Sequence, residues 1–245
     1  MKKTDVLYQV ALLQSLVQGS FDGFVTVREL REHGDTGIGT FDGVNGEMIV
    51  LDGVVYQALA DGSVALPSGD ETIPFGDVTF FEADETLKLG ALPDMASLKA
   101  ALDGAVKRLG ANCLYMVKLE GRFSSIKVRS VCRQKKPYRA LDVALAADQT
   151  EFDYEDVCGT LVGLCCPDYL GGLNTTDCHF HFLSEDRSRG GHVLQLAVRE
   201  ASALLDQIGG FEMRLSRSES FQQLALAKNV DEAICRAENA AREDK

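Results

Sequence analysis

Residues 178–194 read Cys178-His179-Phe180-His181-Phe182-Leu183-Ser184-Glu185-Asp186-Arg187-Ser188-Arg189-Gly190-Gly191-His192-Val193-Leu194. His179 and His181 stand two residues apart, so on a strand both project from one face. Cys178 alternates with them and takes the opposite face. Glu185 to Gly191 carries charge and two glycines, which suits a hairpin loop, and His192 then opens the return strand. Of the four histidines in the chain, three fall in this window and His33 alone lies outside it. The expected unit is a β-hairpin that gathers three imidazoles. Three such ligands suit zinc, iron, copper or manganese and leave a coordination position for water or substrate. Zinc is the first choice, because nothing in the pattern implies redox chemistry.

Working outward from the hairpin, the C-terminal side predicts strands at 193–198, 203–208 and 211–215, and a last helix over 229–242. On the N-terminal side, 158–166 reads as a buried strand closed by Pro167, Gly171 and Gly172. A hairpin is expected from strands 113–119 and 123–131 joined at Glu120-Gly121, with 137–147 a short helix or loop. Residues 94–109 form a helix capped by Asp94 and ended by Gly110. Earlier still, two β-rich runs flank Asp52-Gly53, a hairpin turn signal. Short strands are expected at 63–66 and 78–82, and 24–30 is a strand or turn. The glycine-rich stretch 34–43 lacks the Gly-Lys-Ser/Thr of a phosphate loop and reads as a turn entering a sheet. Residues 4–17 have apolar positions at helical spacing and a glycine stop at Gly19, which predicts a helix. The fold class is therefore α/β: two closely packed sheet-bearing halves, 1–115 and 116–245, with mixed or antiparallel sheets and flanking helices.

The 245 residues carry 25 Lys+Arg against 37 Asp+Glu, a net charge of −12, which disfavours a polyanionic partner such as nucleic acid despite a basic run from Lys127 to Arg139. No apolar stretch is long enough for a membrane span, and no signal-peptide pattern opens the chain, so a cytoplasmic location is expected. The seven cysteines show no zinc-type pair spacing, and adjacent Cys165-Cys166 in an apolar run suggests buried, reduced thiols.

Three blocks now add up to a resemblance. The first is Gly37-Ile38-Gly39-Thr40-Phe41-Asp42-Gly43 with Asn45-Gly46-Glu47 and Leu51-Asp52-Gly53. The second is Val128-Arg129-Ser130-Val131 with Gln134-Lys135-Lys136-Pro137-Tyr138. The third runs from His179 to Arg187 and from Gly190 to Leu194. In this order they resemble the α-acetolactate decarboxylase family. The resemblance implies removal of CO2 from (S)-2-acetolactate to give (R)-acetoin, in a zinc-dependent cytoplasmic homodimer of microbial acetoin and butanediol metabolism. It implies His179, His181 and His192 as zinc ligands and Glu47 and Arg129 as functional groups. It also implies Thr40 in the same pocket and a C-terminal glutamate, Glu238 or else Glu232. The chain departs from the family pattern at Asp177 and Cys178, where a glycine-containing turn is expected, and at Cys132, where proline is common.

These residue types fit that chemistry. Losing CO2 from a 2-hydroxy-3-keto acid leaves an electron pair held as an enediolate, which a metal stabilises as a Lewis acid. An arginine matches the substrate carboxylate with its planar fork, Arg129 first and Arg133 as its competitor. A carboxylic acid can deliver a proton to carbon. Two other classes remain open from the sequence. The spacing His-x-His-x-x-x-Glu also looks like the first motif of a cupin metal enzyme, with Glu185 as a fourth ligand. A His-x-His strand followed by Gly-Gly-His is similar to the PPC (DUF296) domain, a non-enzymatic binding module.

Overall fold

The computed structural model describes residues 4–226. In chain order the first part holds β1 (Val6–Val10), α1 (Leu13–Val17), β2 (Val25–Thr26), α2 (Val27–Leu30), β3 (Thr36–Thr40), β4 (Glu47–Leu51), β5 (Val54–Ala58), β6 (Val64–Ala65), β7 (Thr72–Ile73) and β8 (Phe75–Thr79). Then come β9 (Glu85–Leu89), α3 (Met95–Leu109), β10 (Leu114–Val131), α4 (Leu141–Asp148) and β11 (Gln149–Cys165). β12 (Cys178–Ser184), β13 (Gly190–Ile208), β14 (Gly210–Arg214) and α5 (Glu219–Gln222) complete the described chain. The architecture is mixed α/β, dominated by strands, as expected.

One sheet has seven strands in the order β14-β1-β8-β3-β4-β5-β6, antiparallel except for the parallel pair β1–β14. In the other, β10 pairs with both β11 and β13, and β12 pairs with both β11 and β13, so four strands form a closed ring with β9 added on β13. The ring sheet takes the contiguous strands β9 to β13, and β14, which follows it in sequence, returns to the first sheet. Leu98, Leu102 and Ala105, one stripe of α3, pack with Tyr115, Phe123, Phe180 and Phe182 of the ring. A second apolar layer lies between the sheets, where Leu7, Ile38 and Ile49 meet Met116, Val162 and Leu183.

Several expectations hold. The Asp52-Gly53 hairpin forms as β4–β5, Asp94 caps α3 by accepting a hydrogen bond from the Ser97 amide, and α4 falls within 137–147 but for its last residue. Others do not. Residues 4–17 are not one helix but β1 followed by the five-residue α1, with a break at Ala11 (φ 61°). β1 lies between β14 and β8 and buries Leu7, Tyr8, Gln9 and Val10 in succession. A strand covered on both faces loses its alternation and imitates a helix. The expected turn at Glu120-Gly121 is also absent, because β10 runs unbroken for 18 residues. Gly121 is required for close packing instead: a Cβ there would stand 2.4 Å from the Glu200 carbonyl oxygen on β13. Likewise 193–208 is one strand rather than two, and the strand expected at 78–82 is β8, displaced toward Phe75. Cys165 and Cys178 face each other across β11 and β12 and are joined by a disulfide, against the expectation of reduced thiols. The expected helix 229–242, with Glu232 and Glu238, lies outside the described residues.

Candidate metal centre

The site forms where the outer face of the ring meets the first sheet. Along β12, Phe180 and Phe182 turn into the ring's core, so alternation directs His179 and His181 the other way. Antiparallel pairing then sets His181 opposite His192, and His192 opposite Arg129. One row across three strands thus carries two imidazoles and a guanidinium. His179, one turn of the pleat away, brings its Nε2 to 2.9 Å from His192 Nδ1. The potential ligand atoms of the three histidines all lie within 4.8 Å of one another.

Gly191 makes this row possible. Its φ of 151° is one that L side chains rarely adopt, and a Cβ there would meet the Arg129 carbonyl oxygen at 2.6 Å and Val128 at 3.0 Å. Replacing Gly191 with alanine is therefore expected to push β13 off β10 beside His192. Metal affinity should fall by about tenfold or more, on the scale of disturbed ligand orientation, as read by competition against a chromophoric chelator. Retention of wild-type affinity would show that the close approach is dispensable.

His179 and His181 are held neutral. Burial, reinforced by the nearby positive charges of Arg129 and Lys99, pushes His179 down to about 3. Burial also lowers His181 well below the usual histidine range. His181 Nδ1 donates to the Met48 carbonyl at 2.8 Å; because a carbonyl only accepts, that nitrogen carries the proton and Nε2 keeps its lone pair. Three clustered imidazoles, one of them oriented by a backbone carbonyl, are the donor set that a divalent transition metal takes, so the residues present fit such an ion.

The first sheet supplies the other side. β3 and β4 pair Thr40 with Glu47, and the Glu47 Oε2 atom comes to 3.6 Å from His181 Nε2. The Thr40 hydroxyl donates to the Gly46 carbonyl at 2.7 Å. Thr40, Glu47, Arg129, His179, His181 and His192 all line one cavity of about 50 Å³, walled on its apolar side by Leu13, Leu16, Val44, Phe75, Leu141 and Leu145.

The structure also separates candidates. Arg129 is 4% exposed and lines the cavity, while Arg133 is largely exposed and forms an ion pair with Asp42. Glu185 is exposed and borders a different surface depression with Arg122 and Arg187, so the four-ligand reading of His-x-His-x-x-x-Glu is not what this chain builds. Cys178 lies in the disulfide. Sequence reasoning missed the apolar wall from α1 and α4. The spacing of Leu141 and Leu145 marked one face of a helix, but nothing in it said which cavity that face closes.

The family model for alpha-acetolactate decarboxylase matches residues 7–228. The alpha-acetolactate decarboxylase of Methanosarcina mazei is 44% identical over 96% of this chain and 81% of its own length. That of Methylococcus capsulatus is 38% identical over 95% of this chain and 88% of its own length. The crystal structure of alpha-acetolactate decarboxylase from Bacillus subtilis strain 168 superposes with a TM-score of 0.92 at 30% identity, covering 96% of this chain and 100% of that one. With the match extending over nearly the whole sequence and the whole fold, this chain belongs to the alpha-acetolactate decarboxylase family.

Proposed function

We propose that the protein converts (S)-2-acetolactate to (R)-acetoin and CO2 in this cavity, with His179, His181 and His192 holding a divalent metal, zinc in the first instance. The observation that carries the reading is the convergence of three imidazoles, a carboxylate and a buried guanidinium on one small cavity, in a chain of this family. When bound, the metal would supply Lewis-acid stabilisation for the negative charge that develops on the substrate's oxygens as CO2 leaves.

The chain's own residues do the rest. Arg129 offers its N–H fork to the substrate carboxylate and holds it in place until the carbon–carbon bond breaks. The Thr40 hydroxyl, fixed by its bond to the Gly46 carbonyl, keeps lone pairs that accept from a substrate hydroxyl. Glu47 stands on the first-sheet side of the cavity and delivers a proton to the carbon that has lost CO2, giving an enediolate a single face of attack. Leu13, Leu16, Leu141 and Leu145 keep water from that carbon and carry the substrate's methyl groups. A C-terminal glutamate, Glu238 or else Glu232, belongs to the same proposal, as do a homodimeric state and a cytoplasmic location. Among the described residues no helix is long and apolar enough to cross a membrane.

The test is to supply racemic acetolactate to protein with and without prior chelation. Chelation is expected to reduce acetoin formation to the spontaneous rate, with recovery on adding one equivalent of zinc. An unchanged rate after verified removal of metal would overturn the metal's role, and no acetoin from folded, loaded protein would overturn the activity.

A further inference from the structure

Arg129 does not stand alone. β10 and β11 pair antiparallel, with Val131 opposite Gln149 and Arg129 opposite Glu151, so Gln149 and Glu151 share the face of Arg129. Arg129 Nη1 donates to Gln149 Oε1 at 3.3 Å, and Gln149 Nε2 donates in turn to Glu151 Oε1 at 3.0 Å. Lys127 Nζ reaches the other Glu151 oxygen at 3.4 Å. The direction of the amide is fixed by this chain, because a carboxylate accepts but cannot donate. With its nitrogen on Glu151, Gln149 must turn its oxygen to the guanidinium. Both side chains are almost wholly enclosed, Gln149 at 2% and Arg129 at 4% exposure, so the bond forms where neither can exchange it freely for water.

From this geometry we propose that Gln149 is the positioning residue of Arg129, and that its neutrality matters: it directs the guanidinium without cancelling its charge. The inference rests on the reading that Arg129 receives the substrate carboxylate. A carboxylate at position 149 would be a permanent internal competitor for the same donors, forming a buried ion pair that the substrate must break. The carboxylate that does lie opposite Arg129 in the sheet, Glu151, is taken up by the Gln149 amide and by Lys127. Gln149 is not among the residues lining the cavity, so its effect on a substrate passes through Arg129.

Gln149→Glu in the metal-loaded protein keeps the side chain's shape and tests the charge. KM for acetolactate is expected to rise by about tenfold or more, with kcat changed by less than about threefold, the pattern of lost ground-state binding. Calorimetric affinity for 2-hydroxy-2-methylpropanoate, which keeps the carboxylate and hydroxyl but lacks the ketone, should fall in the same proportion, while affinity for acetoin, which lacks the carboxylate, should not move. In an Arg129→Ala background Gln149→Glu should add nothing, since the two act as one unit. Gln149→Met, which removes the acceptor without adding charge, should raise KM by a smaller factor and serves if the glutamate variant does not fold. A wild-type KM in either folded variant, or a Gln149→Glu penalty that persists undiminished without Arg129, overturns the positioning role. Unchanged kinetics in Arg129→Ala itself would instead remove the carboxylate-binding reading, a result distinct from failure at Gln149.

Discussion

Replacing His181 with alanine is expected to remove the metal and reduce acetoin formation by about a thousandfold or more, since Lewis-acid stabilisation is worth several kcal/mol and each 1.4 kcal/mol is a factor of ten. His181 is the histidine best placed for this test. It is 1% exposed, its Nδ1 is committed to the Met48 carbonyl, and its Nε2 has no alternative orientation. His179 and His192 remain in contact at 2.9 Å, but two imidazoles give an open, weakly held ion. Metal content should be measured directly on the purified variant, with circular dichroism to show that the sheets persist. A second readout is thermal: zinc should raise the melting temperature of the wild-type apoprotein by mass action and leave that of the variant unmoved. A variant that keeps both its metal and its rate would remove the three-histidine centre from the mechanism.

Glu47→Gln should leave the metal in place and lower kcat by about a hundredfold to ten-thousandfold, the range for losing a positioned general acid. Glutamine preserves the length and most of the hydrogen bonding of a residue that is 9% exposed and lies 3.6 Å from His181 Nε2, so the change is chemical rather than steric. The stereochemistry of the product separates proton delivery from mere packing. If Glu47 supplies the proton from one side of the cavity, the residual acetoin made by the variant should lose enantiomeric purity, because water would then protonate the carbon from either face. Chiral gas chromatography of the product reads this directly. Unaltered enantiomeric purity alongside a reduced rate would assign the proton to another group, and an unaltered rate would remove Glu47 from the chemistry.

The hairpin at the centre was legible because its information is local. Strand alternation alone sets His179 and His181 on one face, and the Gly190-Gly191 pair marks the return. The Asp52-Gly53 turn and the capped helix α3 were legible for the same reason. What escaped was decided between distant segments. β1 imitates a helix because neighbours cover both its faces, and Gly121 imitates a turn because another strand passes too close for a side chain. The disulfide joins cysteines that become opposite only once β11 and β12 pair. At the site, nothing in the run around Glu47 shows that it will meet His181 across the gap between two sheets. Family resemblance nominated Glu47 and Arg129; spacing alone left each as an ordinary strand residue. Gln149 had no local signature, since its importance lies in the register that aligns it with Arg129.

The return of β14 to the first sheet has a consequence in time. β1 is the first strand of the described chain and its parallel partner β14 is the last, about 200 residues further on. During synthesis one edge of the first sheet therefore stays open while almost the entire ring is made, and it closes only when residues 210–214 arrive. Closing so long a loop is slow and is paid for late, which places this chain among the topologies that fold by completing distant contacts rather than by adding local ones. α1, which walls the cavity through Leu13 and Leu16, follows directly on β1. The apolar wall of the cavity is thus tied to β14, and a nascent chain cannot complete it before residues 210–214 emerge.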